Sequence, residues 1–244
     1  MSSPRLPAVR LGEGALRITV GVAAMTWLLA WLGGNVLGSV VVAISGEDPG
    51  EVDTPVWLTV AAAVSLWVPM LVALREVSLR YGTGSPAEDY GLSLRPVDLV
   101  GIPVGILSQL VLLPLVYWPL EGAWPDTFSR PRLEESARTL YDSADGLGYV
   151  ALVLVVVAGA PLVEELMYRG LLQGALVRRV DDLIGLVVAA AWFALIHFRP
   201  VEYPGLFAIG LVLGSCALLT RRLGMSILAH VAFNATGLAW VASR

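Results

Sequence analysis

Residues 149–170 read YVALVLVVVAGAPLVEELMYRG, an apolar run that ends on two adjacent glutamates, Glu164 and Glu165, with an arginine, Arg169, one turn further on. The run has the length a helix needs to cross hydrocarbon, about 17–25 residues. A charged side chain at the bilayer centre costs ~2.5–3.5 kcal/mol on insertion scales, so three in one span burden its insertion. Ionisable groups carried at that cost face protein or water rather than lipid, and they mark a functional site. The same stretch therefore raises the question of the fold and that of the chemistry.

Working outward, the whole chain agrees with a membrane reading. Of its 244 residues 57% are hydrophobic and 15% charged, against about 25% charged in a typical soluble domain. The mean hydropathy is +0.74. This excludes a water-soluble globule, which needs more polar surface. The run at 18–45 is longer than the apolar core of a signal peptide, so it is expected to stay as a spanning helix. Further runs follow at 55–74, 99–120, about 149–176, 183–198, 204–220 and 223–243. The expected fold class is all-α, a polytopic transmembrane bundle of about seven spans within a range of six to eight. No Pro/Ser-rich linker or repeat divides the chain, so residues 1–244 read as one integral-membrane domain.

The gaps alternate in character: Arg5 and Arg10 lead the first span, Arg75, Arg80 and Arg95 follow the second, Arg178 and Arg179 the fourth, Arg199 with Glu202 the fifth, and Arg221 and Arg222 the sixth. The gap GEDPGEVDT is acidic, and the mixed segment 121–148 has room for a short amphipathic helix. The positive-inside rule then puts the N-terminus in the cytoplasm and the C-terminus outside. All sixteen basic residues are arginine. Scattered in short loops, they give no nucleic-acid footprint, and the lysine-free composition suggests a bacterial plasma membrane. Trp57, Trp118, Tyr149 and Trp240 near span ends read as an interfacial belt. Cys216 is the lone cysteine, which excludes an internal disulfide, and its small apolar neighbours suit a packed helix. Pro161 either kinks the fourth span or loosens it beside the glutamates.

The polar side chains of the last four spans form a short set: Glu164, Glu165, Arg169, His197, His230 and Asn234, including both histidines of the chain. Glu165 and Arg169 are spaced i, i+4 in the favourable order, acid before base, which suits a structural ion pair. Glu164 lies on another face and is left as the odd carboxylate. His230 and Asn234 share a face at i, i+4, and so do Phe193 and His197. Counting from the turn near 180–181 puts Glu164 and His197 at one membrane level. His230 and Asn234, ~11–18 Å from the Arg221–Arg222 turn at 1.5 Å per residue, come out one or two turns shallower.

A carboxylate with an imidazole beside it polarises water for attack on a carbonyl. A second imidazole and a carboxamide can hold the resulting oxyanion. Alternatively Glu164, His197 and His230 form a His₂Glu set for one Zn²⁺. No HExxH spacing is present to support the metal version.

EELMYR (164–169), FALIH (193–197) and HVAFN (230–234) have the forms EExxxR, FxxxH and HxxxN. In this order on successive apolar helices they resemble the CPBP family of intramembrane proteases, also called the Abi or CAAX-protease family. That family includes the endopeptidases that remove the last three residues of prenylated CAAX proteins, and bacterial members linked to bacteriocin processing and immunity. The resemblance covers about 149–241, with 1–148 as additional N-terminal spans. It implies Glu164 as the water-activating residue, His197 as its assistant, His230 and Asn234 as the oxyanion-binding pair, and Glu165, Arg169 and Phe193 as support. It implies a peptide or protein substrate at the membrane. The expected mechanism needs no cofactor, with Zn²⁺ as the alternative. A non-catalytic immunity or scaffold protein, or a proton-coupled transporter, is the rival reading; the absence of a second glutamate segment in 1–148 counts against a transporter repeat.

Overall fold

The computed structural model describes residues 18–47 and 55–244, and these contain ten helices and no strand. Arg5, Arg10 and most of the acidic gap lie outside the described residues. The helices are α1 (Val20–Ser45), α2 (Val56–Tyr81), α3 (Pro86–Asp89), α4 (Pro96–Ala123), α5 (Pro125–Phe128), α6 (Arg130–Asp142), α7 (Leu147–Arg179), α8 (Asp182–Leu195), α9 (Tyr203–Thr220) and α10 (Gly224–Ala242). Six of them, α1, α2, α4, α7, α9 and α10, are long and apolar enough to cross a membrane. The chain is thus an all-α, multi-pass membrane protein. Leu29, Val36, Ile44, Leu115, Leu154 and Leu219 point outward with most of their surface uncovered, as a hydrocarbon-facing wall requires.

The run at 183–198 forms a shorter helix than its composition promises. α8 has 14 residues, about 21 Å at 1.5 Å per residue, and falls short of a full crossing. Asp181 starts it, its Oδ1 accepting from Ile184 N at 2.8 Å. It stops because Arg199 precedes Pro200, which disfavours helical backbone, and because Phe198 takes a left-handed φ of 51°. His197 therefore sits in a turn just beyond the helix end. Segment 121–148 holds α5 and the amphipathic α6, as its mixed composition allowed.

Close backbone approach sets the positions of the inner helices. A Cβ on Gly101 would stand 2.9 Å from Ala229 N, and one on Gly105 would stand 2.8 Å from Phe233 N, both nearer still to carbonyls of α10. This small-xxx-small spacing lets α4 press directly on the α10 backbone beside His230. At the arginine-bearing end, Asp98, fully buried, accepts from Arg222 Nη2 at 2.8 Å and Nε at 3.1 Å, and from Arg95 N at 2.7 Å. Leu223 N donates to Gly91 O at 2.8 Å. These bonds fix where α10 begins. At the opposite end α6 is tied down by Trp240 Nε1 donating to Glu134 at 3.1 Å and Ser136 Oγ donating to Glu202 at 2.8 Å.

Candidate active site

The backbone of α7 departs from an ordinary α-helix in two places. Over Leu154–Gly159 and again over Glu165–Gln173 the hydrogen bonds run i→i+5, the widened form found at functional sites. In the first stretch Ala160 N donates to Val155 O. The next donor in that register would be residue 161, a proline without an N–H. The carbonyl left over, Val156 O, accepts from Asn234 Nδ2 of α10 at 2.8 Å. Pro161 thus loosens the span locally, and Asn234 fills the vacancy.

The second stretch explains why counting residues misjudged depth. More residues per turn means less advance along the axis, so Glu164 and Glu165 lie closer to the arginine-bearing end than 1.5 Å per residue implies. His230, expected one or two turns shallower, is level with both: its Nδ1 is 2.9 Å from Glu165 Oε1 and its Nε2 is 3.8 Å from Glu164 Oε2.

Glu165 is the hub of a buried network, with no exposed surface. Its Oε1 accepts from Arg169 Nη1 at 2.9 Å and from His230 Nδ1 at 2.9 Å. Its Oε2 meets the Ser226 hydroxyl, which also lies 2.9 Å from Leu213 O. Arg169, itself buried, reaches on to Gly210 O at 3.3 Å and stacks on Phe193, its guanidinium carbon 4.5 Å from the ring centroid. One turn later Gln173 Nε2 donates to Gly214 O at 2.9 Å. Gly214 leaves room for it, since a Cβ would stand 2.6 Å from Gln173 Oε1 and displace the amide. An ion pair in this setting is tolerable because the remaining lone pairs and protons are satisfied.

Glu164 keeps 28% of its side chain exposed, in contrast to the fully buried Glu165. His197 Nδ1 donates to Phe193 O at 2.7 Å. A carbonyl only accepts, so this Nδ1 carries the proton and Nε2 offers its lone pair. The ionised Glu165 imposes the same tautomer on His230. His197 makes no ion-pair contact within 4 Å with either glutamate among the described residues. It joins the cluster through Phe193, whose ring centroid is 4.9 Å from His197, 6.0 Å from His230 and 5.2 Å from Tyr168. Among the described residues no three His, Cys, Asp or Glu side chains stand close enough to hold a metal ion in this geometry.

Two members of the network escaped sequence reasoning. Ser226 stands four residues before His230 on the same face of α10, a spacing that could have signalled it. Gln173 stands four residues after Arg169 on α7. An unpaired small or neutral polar residue in a span carries no insertion penalty large enough to attract notice.

The fold and the site together define a membrane-embedded cluster of carboxylates and imidazoles, with one carboxylate buried and the other partly exposed. Residues 146–236 match the family model described as type II CAAX prenyl endopeptidase Rce1-like. Over that segment the match agrees with the resemblance to the CAAX-protease family, a family of membrane peptidases, read from the three motifs. The matched segment contains Glu164, Glu165, Arg169, Phe193, His197, Ser226, His230 and Asn234, while α1 to α6 lie outside it. No curated protein and no solved structure matches the chain.

Proposed function

We propose that the protein is an intramembrane endopeptidase that hydrolyses a peptide bond with water activated by Glu164 and its neighbouring imidazoles. The observation that supports this most is His230, held between two glutamates at 2.9 and 3.8 Å with its Nδ1–H committed to the buried one. Glu164 takes a proton from water as the water oxygen attacks the scissile carbonyl carbon. His197, with Nε2 free, assists in orienting that water. The carbonyl electron pair moves to oxygen, and the proton on Glu164 passes to His230 Nε2. The imidazolium, braced by Glu165, now gives the oxyanion a hydrogen bond and then passes its Nε2 proton to the leaving amine as the carbonyl re-forms and the C–N bond breaks. Asn234 spends one amide proton on Val156 O and retains a second for the oxyanion.

Glu165 and Arg169 cancel each other's charge and serve as the frame. No serine or cysteine nucleophile takes part, and no cofactor is required; a Zn²⁺ version would draw on Glu164, His197 and His230. The substrate class is a membrane-anchored peptide or protein, of CAAX, leader or membrane-protein type, because the site lies among spanning helices. The arginines gathered at one end (Arg80, Arg95, Arg178, Arg179, Arg221, Arg222) support an orientation with that end in the cytoplasm.

The test is cleavage by purified protein in liposomes of prenylated CAAX-type and leader-type peptides, run in ¹⁸O-water with mass analysis of products. The expected result is a new carboxyl terminus carrying the label. Intact peptides of every type would overturn the proposal.

A further inference from the structure

We infer that Ser226 is a positioning residue: its hydroxyl locks the Glu165 carboxylate so that His230 is held in one orientation. The inference builds on the mechanism proposed above, but its first readout does not depend on it. Three donors serve the two oxygens of Glu165. Arg169 Nη1 and His230 Nδ1 both go to Oε1, at 2.9 Å each, and the Ser226 hydroxyl meets Oε2. Ser226 has one proton and two neighbouring acceptors, Glu165 Oε2 and Leu213 O. Leu213 lies inside α9, where its carbonyl already accepts the helical bond from residue 217. Glu165 Oε2 has no other donor among the described residues, so the hydroxyl proton belongs to the carboxylate.

The lock matters because a carboxylate turns easily. The last torsion of a glutamate is broad and nearly two-fold. With Ser226 in place, a turn would pull Oε2 away from its donor and is resisted. Without the hydroxyl, Oε2 is a buried charged oxygen with no partner, while Oε1 carries two donors. The group relieves this by turning so that Arg169 and His230 take one oxygen each. Arg169 is pinned by Gly210 O and by the Phe193 ring. His230 is the partner that moves, and its Nε2 drifts from Glu164. Ser226 also stands at 2.9 Å from Leu213 O, so the same side chain registers α10 against α9.

Only two histidines occur in the chain, which makes the imidazoles directly visible. The experiment is ¹⁵N-histidine labelling of the purified full chain in nanodiscs, with long-range proton–nitrogen spectra of wild type, Ser226→Ala and Ser226→Thr. His197→Gln identifies the His230 signals. The wild type is expected to show His230 as a single Nδ1–H tautomer. Ser226→Ala is expected to shift and broaden the His230 ring-nitrogen signals, because Nδ1–H changes its acceptor oxygen and Nε2 leaves Glu164, and Ser226→Thr, which keeps the hydroxyl, to restore the wild-type pattern. In parallel, kcat on a prenylated reporter peptide should fall about tenfold or more in Ser226→Ala with KM unchanged, the loss typical of a bond to a charged group. A His230 spectrum unchanged in folded Ser226→Ala overturns the inference. A changed spectrum in a protein that cleaves nothing leaves the lock standing and removes the protease reading instead.

Discussion

Adding one methyl group to α4, which carries none of the polar residues of the site, should disable the protein. A Cβ at residue 105 would stand 2.8 Å from Phe233 N and 2.9 Å from Ala229 C, and closer still to Ala229 O. Ordinary contact begins near 3.4 Å, so α10 must retreat by more than half an ångström, and by more again at the carbonyl. All three neighbours are backbone atoms, which cannot rotate aside. Ala229 precedes His230, so the retreat displaces the imidazole relative to Glu164 and Glu165. Overpacking of this kind costs about 1–3 kcal/mol, which a bundle of this size survives. A misplacement of about 1 Å in an active site costs roughly a hundredfold in rate. Gly105→Ala is therefore expected to insert and purify as wild type, to melt slightly lower, and to lose on the order of a hundredfold in kcat on a liposome-bound reporter peptide. Gly122→Ala, where nothing lies within 4 Å of the new atom, is the control and should behave as wild type. Turnover of Gly105→Ala within threefold of wild type would refute the claim that this contact sets the position of His230.

Other perturbations test other parts of the network. Arg169→Ala strips Glu165 of its counter-charge in a site with no exposed surface, and should destabilise the protein by about 3–5 kcal/mol, seen as a collapse in melting temperature or yield; a variant that melts like wild type would contradict this. Asn234→Leu leaves Val156 O without its donor and should cost about 1–3 kcal/mol. Adding Pro161→Ala returns an N–H to that carbonyl, so the double variant is expected to regain the melting temperature but not the turnover. Treatment with a chelator is expected to leave turnover unchanged; loss of activity restored by Zn²⁺ would replace the metal-free mechanism with one centred on Glu164, His197 and His230.

Much of this arrangement can be read from composition and spacing, and the limits are physical. Long apolar runs announce spanning helices because lipid permits little else, and six of the expected seven are long enough to span. Run 183–198 misled because Phe198 continues its apolarity past the residue where Pro200 stops the helix. Charge in hydrocarbon is expensive, so Glu164, Glu165 and Arg169 stand out, and the i, i+4 rule pairs the right two of them. That rule fails to reveal the i→i+5 stretches of α7, since no residue type encodes them beyond the hint of Pro161. Without them the relative depth of His230 comes out wrong. Ser226 was invisible for the opposite reason from Glu165: a hydroxyl costs little in a helix, and its meaning depends on what α7 brings to it.

The most direct measurement is turnover by Glu164→Gln, a substitution that keeps size and shape and removes only the capacity to take a proton from water. Glu164 is partly exposed and outside the Glu165–Arg169–Ser226 frame, so the variant should fold, melt and show His230 spectra close to wild type. Complete loss of peptide cleavage in such a protein is the predicted result. Cleavage at a rate near wild type would contradict it and take the catalytic role away from Glu164.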